Sequence, residues 1–118
     1  VFYIQYAYVR CQSILKKSKS QIPNFKLNLL NTEADVKLIR SLVQFPEIIA
    51  DTANDYQVHR LARYALALAG DFHNFYEKER VLGEEQEIAA ARYQLVKATV
   101  IVLENIFNLL GITKPKKM

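Results

Sequence analysis

Glycine and proline number only three each in this 118-residue chain. That scarcity excludes a turn-rich β fold and favours helices. A single cysteine, Cys11, rules out an internal disulfide, and with two histidines it makes no cluster for structural zinc. No uninterrupted apolar run approaches the ~18–20 residues that a membrane span needs. From Val1 on, no charged segment precedes an apolar stretch, so no signal peptide is expected within these residues, and a targeting segment upstream stays open. No H-E-x-x-H, Gly-rich phosphate loop or G-x-S-x-G appears. His59 and His73 stand fourteen residues apart on one helical stretch and cannot meet as ligands. Each reads as a surface or packing residue.

Acidic residues are missing from both ends. Residues 1–32 carry Arg10, Lys16, Lys17, Lys19 and Lys26 with no acid, and residues 106–118 carry Lys114, Lys116 and Lys117 with none. The net charge is +4, so the middle of the chain is acidic. If the ends meet, they form a basic patch of the kind nucleic acids select. Solvated lysine tails are the alternative. Half the chain is apolar (51%), enough for one buried core, and the length suits a single domain over residues 1–118.

Hydrophobic periodicity predicts five helices and no strand. The first spans residues 2–18. Ile4, Ala7, Cys11, Ile14 and Leu15 share a core face, with Cys11 a small hydrophobe. Residues 19–31 lack a helical period, and Phe25, Leu27, Leu29 and Leu30 are expected to anchor them. Thr32 and Asp35 form a capping pair for helix two, whose stripe is Val36, Ile39, Leu42 and Val43. Pro46 ends that helix and suits the first turn of a short third one reaching Ala53. Helix four, residues 56–80, sets Val58, Leu61, Ala65, Leu68, Phe72 and Phe75 at seam spacing, with Gly70 inviting a close helix approach. After Gly83, Glu84, Glu85 and Glu87 favour the start of helix five. Its seam is Ile88, Ala91, Leu95, Ala98, Val102, Ile106 and Leu109, and Gly111 is the C-terminal cap. The fold class is all-α, an antiparallel bundle of about five helices.

A second stripe on helix one carries the functional signal. Tyr3, Tyr6, Arg10, Ser13 and Lys17 lie roughly 120° from the core face by helical geometry. Rings can stack on unpaired bases while cations hold the neighbouring phosphates. Periodicity leaves a second reading open, in which the tyrosines are amphipathic packing residues.

The segment FYIQYAYVR resembles the Y-V-Q-Y-A-H-A-R opening of the DALR-type anticodon-binding domain of arginyl-tRNA synthetases. FPEIIADTA, HRLARYALALAGDFHNFYEKERVLG and AARYQLVKATVIVLENIFNLLGITKPKKM continue the resemblance in the family's order. It implies an excised C-terminal part of a larger, cytoplasmic arginine–tRNA ligase. The implied partners are the anticodon stem-loop of arginine tRNA and the catalytic domain of the same chain, with no membrane and no DNA. ATP and magnesium would belong to the catalytic domain, and no cofactor or catalytic residue is implied here. The family's H-I-G-H motif is absent. KKSKS (Lys16 to Ser20) resembles the K-M-S-K-S signature, but it sits at a helix end without a nucleotide fold and reads as basic surface.

By motif match, Tyr3, Tyr6, Arg10, Tyr76 and Met118 are the implied anticodon-binding residues. Tyr3, Tyr6 and Tyr76 would stack on or enclose loop bases, and Arg10 would pair with a phosphate or base edge. Met118 would close an apolar pocket. Lys16, Lys17, Lys19, Lys116 and Lys117 would supply weaker phosphate attraction. Two positions depart from the family. Tyr8 replaces its His near the core stripe, where a packing change is expected. Lys116 and Lys117 stand where it often has Glu-Arg. The competing reading is a helical protein-interaction or scaffold module of DALR type, which predicts salt-insensitive binding through an apolar patch.

Overall fold

The computed structural model describes residues 2–17, 30–78 and 86–111; the side chains of Lys17, Gln86 and Glu87 lie outside that description. The described residues form five helices: α1 (Phe2–Lys17), α2 (Glu33–Val43), α3 (Phe45–Asp55), α4 (Val58–Lys78) and α5 (Gln86–Leu110). The expected all-α bundle is present. Helix α4 is its hub and packs against each of the other four, while α5 packs against α1, α2 and α4.

Local chemistry sets the helix ends. The Thr32 side chain accepts from the Asp35 N–H at 3.1 Å, and the Asp35 carboxylate accepts from the Thr32 N–H at 3.4 Å. This reciprocal cap satisfies two backbone donors that a helix start leaves unpaired. Pro46 stands in the first turn of α3, where its missing N–H costs nothing. Only Gln44 separates α2 from α3. Gly111 adopts φ +70° just past α5, a left-handed cap that a side chain would strain.

The core face of α1 is as the spacing predicts. Ile4, Ala7, Cys11 and Ile14 are buried, and Leu15 packs partly buried against them. Burial pushes the Cys11 thiol well above its ordinary range, so it behaves as a small hydrophobe. Tyr8 joins this core at 6% exposure. Its hydroxyl donates to Glu104 of α5 at 2.8 Å, and its ring meets Phe107 edge-on at 5.3 Å. The departure at this position is therefore a packing change, one that ties α1 to α5. The α4 seam holds from Leu61 to Phe75, with Tyr64, Ala69 and His73 added. Leu30 is buried, while Phe25, Leu27 and Leu29 lie outside the described residues.

Three expected seam positions are corrected. Val43, Val58 and Leu109 are exposed, at 68%, 54% and 59%. Each stands at the end of its helix's apolar pattern, beyond the reach of the neighbouring helices. In α5 the buried set also rotates to Val96, Thr99, Val100, Leu103 and Phe107. A 3.5-residue repeat read on a straight helix drifts by ~20° per heptad, and the expected seam spans three heptads. In α2 the fully buried positions are Ala34, Asp35 and Leu38, with Ile39 and Leu42 at the margin. Asp35 does more than cap. Its carboxylate lies 3.6 Å from the Arg92 guanidinium of α5, and both side chains are inside the protein.

Candidate nucleic-acid interface

Three residues of α1 and two of α4 build one face. Tyr3, Tyr6 and Arg10 follow each other at spacings of three and four on α1, so they line up along the helix. His73 and Tyr76 are three apart on α4 and also share a face. Where the helices meet, His73 is the floor. Its ring centroid lies 4.7 Å from that of Tyr3, 5.4 Å from Tyr6 and 6.0 Å from Phe72. His73 itself is 8% exposed, while Tyr3, Tyr6 and Tyr76 keep 46%, 44% and 41% of their surface in solvent.

Arg10 lies between two rings. Its guanidinium carbon is 4.5 Å from the Tyr6 centroid and 4.2 Å from the Tyr76 centroid. Cation–π attraction of this kind contributes about 0.5–1 kcal/mol per ring near the surface. One guanidinium nitrogen also sits 3.0 Å from His73 Nδ1. Arginine can only donate, so Nδ1 is the acceptor and the neutral ring carries its proton on Nε2. Burial, followed by the charge of Arg10, holds the His73 ring below the ordinary histidine range; the Tyr3 backbone and Glu77 act against this shift. The charge of Arg10 is oriented by these contacts, and no described carboxylate pairs with it.

The structure thus brings Tyr3, Tyr6, Arg10 and Tyr76 together. Lys16 is exposed further along α1. The Lys17 side chain, Lys19, Lys116, Lys117 and Met118 lie outside the described residues. The sequence leaves His73 as a surface or packing residue; it packs, and its contact with Arg10 is an addition from the structure. The string Phe72-His73-Asn74-Phe75-Tyr76 held the clue, because a residue three before Tyr76 must share its face. His59 is exposed.

Gly70 faces the same seam. A Cβ built there would lie 3.7 Å from the Tyr3 hydroxyl, an ordinary van der Waals contact. The helices approach each other here, but not so closely that glycine is required. Among the described residues, no group of three or more His, Cys, Asp or Glu could hold a metal ion. No described helix is long and apolar enough to cross a membrane.

Residues 4–118 match the family model of the DALR anticodon binding domain. The chain belongs to the DALR anticodon-binding family. Two curated relatives of this DALR domain are arginine–tRNA ligases. That of Desulforamulus reducens is 44% identical and that of Geobacter metallireducens 40%, each aligned over all of this chain and 22% of the relative. The domain therefore spans about a fifth of the length of those enzymes. Among solved structures, the Thermus thermophilus arginyl-tRNA synthetase superposes with a TM-score of 0.87 at 31% identity, over 98% of this chain and 21% of that one. The Plasmodium falciparum arginyl-tRNA synthetase gives 0.83 at 28% identity, over 99% and 21%.

Proposed function

We propose that this DALR domain binds the anticodon stem-loop of arginine tRNA through the α1–α4 face, as part of a cytoplasmic arginine–tRNA ligase. The observation that carries the reading is the Arg10 guanidinium held between Tyr6 and Tyr76, beside the half-exposed Tyr3. Rings with a free face offer stacking surface to unstacked loop bases, and a guanidinium with no carboxylate partner among the described residues offers a fork to a phosphate or base edge. Tyr3, Tyr6 and Tyr76 serve as the stacking groups and Arg10 as the polar contact. Met118 and the lysines at positions 16, 17, 19, 116 and 117 remain in the proposal on the family resemblance and on charge.

ATP and magnesium chemistry belongs to the rest of such a ligase. The residues described here do not fit either group: no carboxylate cluster could hold a metal, and Lys16 continues helix α1 rather than opening a phosphate loop. Attachment of arginine to the tRNA would be the work of the catalytic portion, with this domain selecting and orienting the tRNA.

The test is binding to arginine tRNA and to the same tRNA with its middle anticodon base changed, across a salt series. Tyr6→Ala and Arg10→Ala are measured in parallel. Preference for the native anticodon, weakened by both substitutions, supports base readout on this face. Equal and salt-sensitive affinity for both tRNAs leaves a basic surface without anticodon readout. Absence of binding at low salt sinks the reading and returns the scaffold alternative.

A further inference from the structure

His73 is the one buried member of the interface, and every solvent-facing group of α1 in it rests on His73. Tyr3 and Tyr6 pack on its ring, and Arg10 donates to Nδ1 at 3.0 Å. The direction of that hydrogen bond is forced. A guanidinium has five N–H groups and no lone pair to offer, so the bond exists only while Nδ1 is unprotonated. A proton on Nδ1 removes the acceptor. It also places a second positive charge within 3.0 Å of the guanidinium nitrogen, in a site shielded from water.

We propose that neutral His73 is the positioning residue of the RNA-binding face: it holds Arg10 between Tyr6 and Tyr76, and its protonation releases Arg10 and weakens RNA binding. The inference rests on the α1–α4 reading of the interface. Among the described residues, the titratable and charged groups facing His73 are few. From α1 they are Arg10, Tyr3 and Tyr6. From α4 it is Glu77. Glu77 is the one acid that favours the charged ring, and it is outweighed by burial, with Arg10 acting in the same direction as burial. The switch is thus set to the neutral form at neutral pH and opens as the pH falls below the ordinary histidine range. His73 does not contact RNA in this scheme; it acts through Arg10.

Two measurements test this, one without RNA. Imidazole and guanidinium NMR signals of the 118-residue chain are followed from neutral pH down through and below the range in which histidine ordinarily titrates. Arg10 Nε–Hε and Nη signals should shift with the same midpoint as His73. Independent behaviour of the two residues overturns the proposal, whatever the domain binds. Affinity for the arginine anticodon stem-loop is then measured over the same range for the wild type and for His73→Asn, whose Oδ1 can accept at the place of Nδ1 but does not titrate. The wild type should weaken by roughly tenfold on acidification, the equivalent of one charged hydrogen bond, and the variant should lose that dependence. Identical pH profiles for the two proteins overturn the positioning role. If neither binds the stem-loop at any pH, the RNA reading fails, and coupled titration in the free chain still decides whether His73 positions Arg10.

Discussion

Two of the arginines that bridge helices among the described residues, Arg92 and Arg10, are treated in opposite ways. Arg92 on α5 is buried against Asp35 of α2, charge against charge. Arg10 on α1 is held by a neutral imidazole and two rings, with no carboxylate paired to it among the described residues. The first arrangement makes a structural tie. A buried ion pair is not strongly stabilising against an apolar alternative, but removing one partner strands the other in a medium that cannot solvate it. The second arrangement fixes direction without a carboxylate partner among those residues, which is what recognition of a phosphate or base edge requires. A guanidinium already paired with a carboxylate would have to break that pair before binding RNA.

The largest effect that sharpens this contrast is expected at Asp35. Asp35→Ala removes the carboxylate half of the α2 cap, which accepts from the Thr32 N–H, and the partner of Arg92, and should lower stability by about 3–5 kcal/mol in denaturant unfolding. Arg10→Ala should show the reverse profile. It forfeits about 1 kcal/mol or less of folding stability, while Arg10→Ala and Tyr6→Ala each lower RNA affinity by about 1–3 kcal/mol. A loss of stability at Arg10 comparable to that at Asp35 would break the comparison, because Arg10 would then be a structural tie as well.

A smaller effect follows from His73. Its ring is held below the ordinary histidine range, so the unfolded chain takes up this proton at a higher pH than the folded one. The stability it contributes is complete above the ordinary range and is lost as pH falls through the lower folded value. Unfolding midpoints of the wild type should therefore decline on mild acidification more than those of His73→Asn. The smallest effect is expected at Gly70. Gly70→Ala places a methyl in ordinary contact with the Tyr3 hydroxyl. It should raise stability by about 0.5–1 kcal/mol through reduced freedom of the unfolded chain, read as a higher melting temperature. RNA affinity should be unchanged. A loss of affinity would show that the depth of Tyr3 in the seam matters to binding.

Legibility in the sequence varied with the range of the interaction concerned. The Thr32–Asp35 cap, Pro46 in the first turn of α3 and the left-handed Gly111 depend on neighbours within a few residues, and each was readable. The α1 core face was readable because a 16-residue helix is too short for the apolar repeat to drift far. The α5 seam was only partly readable, since its 25 residues allow drift to accumulate. Tyr3, Tyr6 and Arg10 were visible as a stripe on one helix, and the resemblance added Tyr76. His73 was not visible as their common support, for its partner Arg10 is 63 positions away in sequence.

The sequence by itself determined the all-α class, the capped start of α2, the left-handed stop of α5, the core face of α1 and the family, because local propensity and ordered motifs are written in consecutive residues. Tertiary packing alone decided which charges are neutralised. Asp35 reads as a cap and Arg92 as one more cation until α2 and α5 come together, and Arg10 reads as a surface arginine until α4 brings His73 and Tyr76 beside it. The physical reason is that desolvation and ion pairing depend on distance in space, and a bundle brings together residues that the chain keeps far apart.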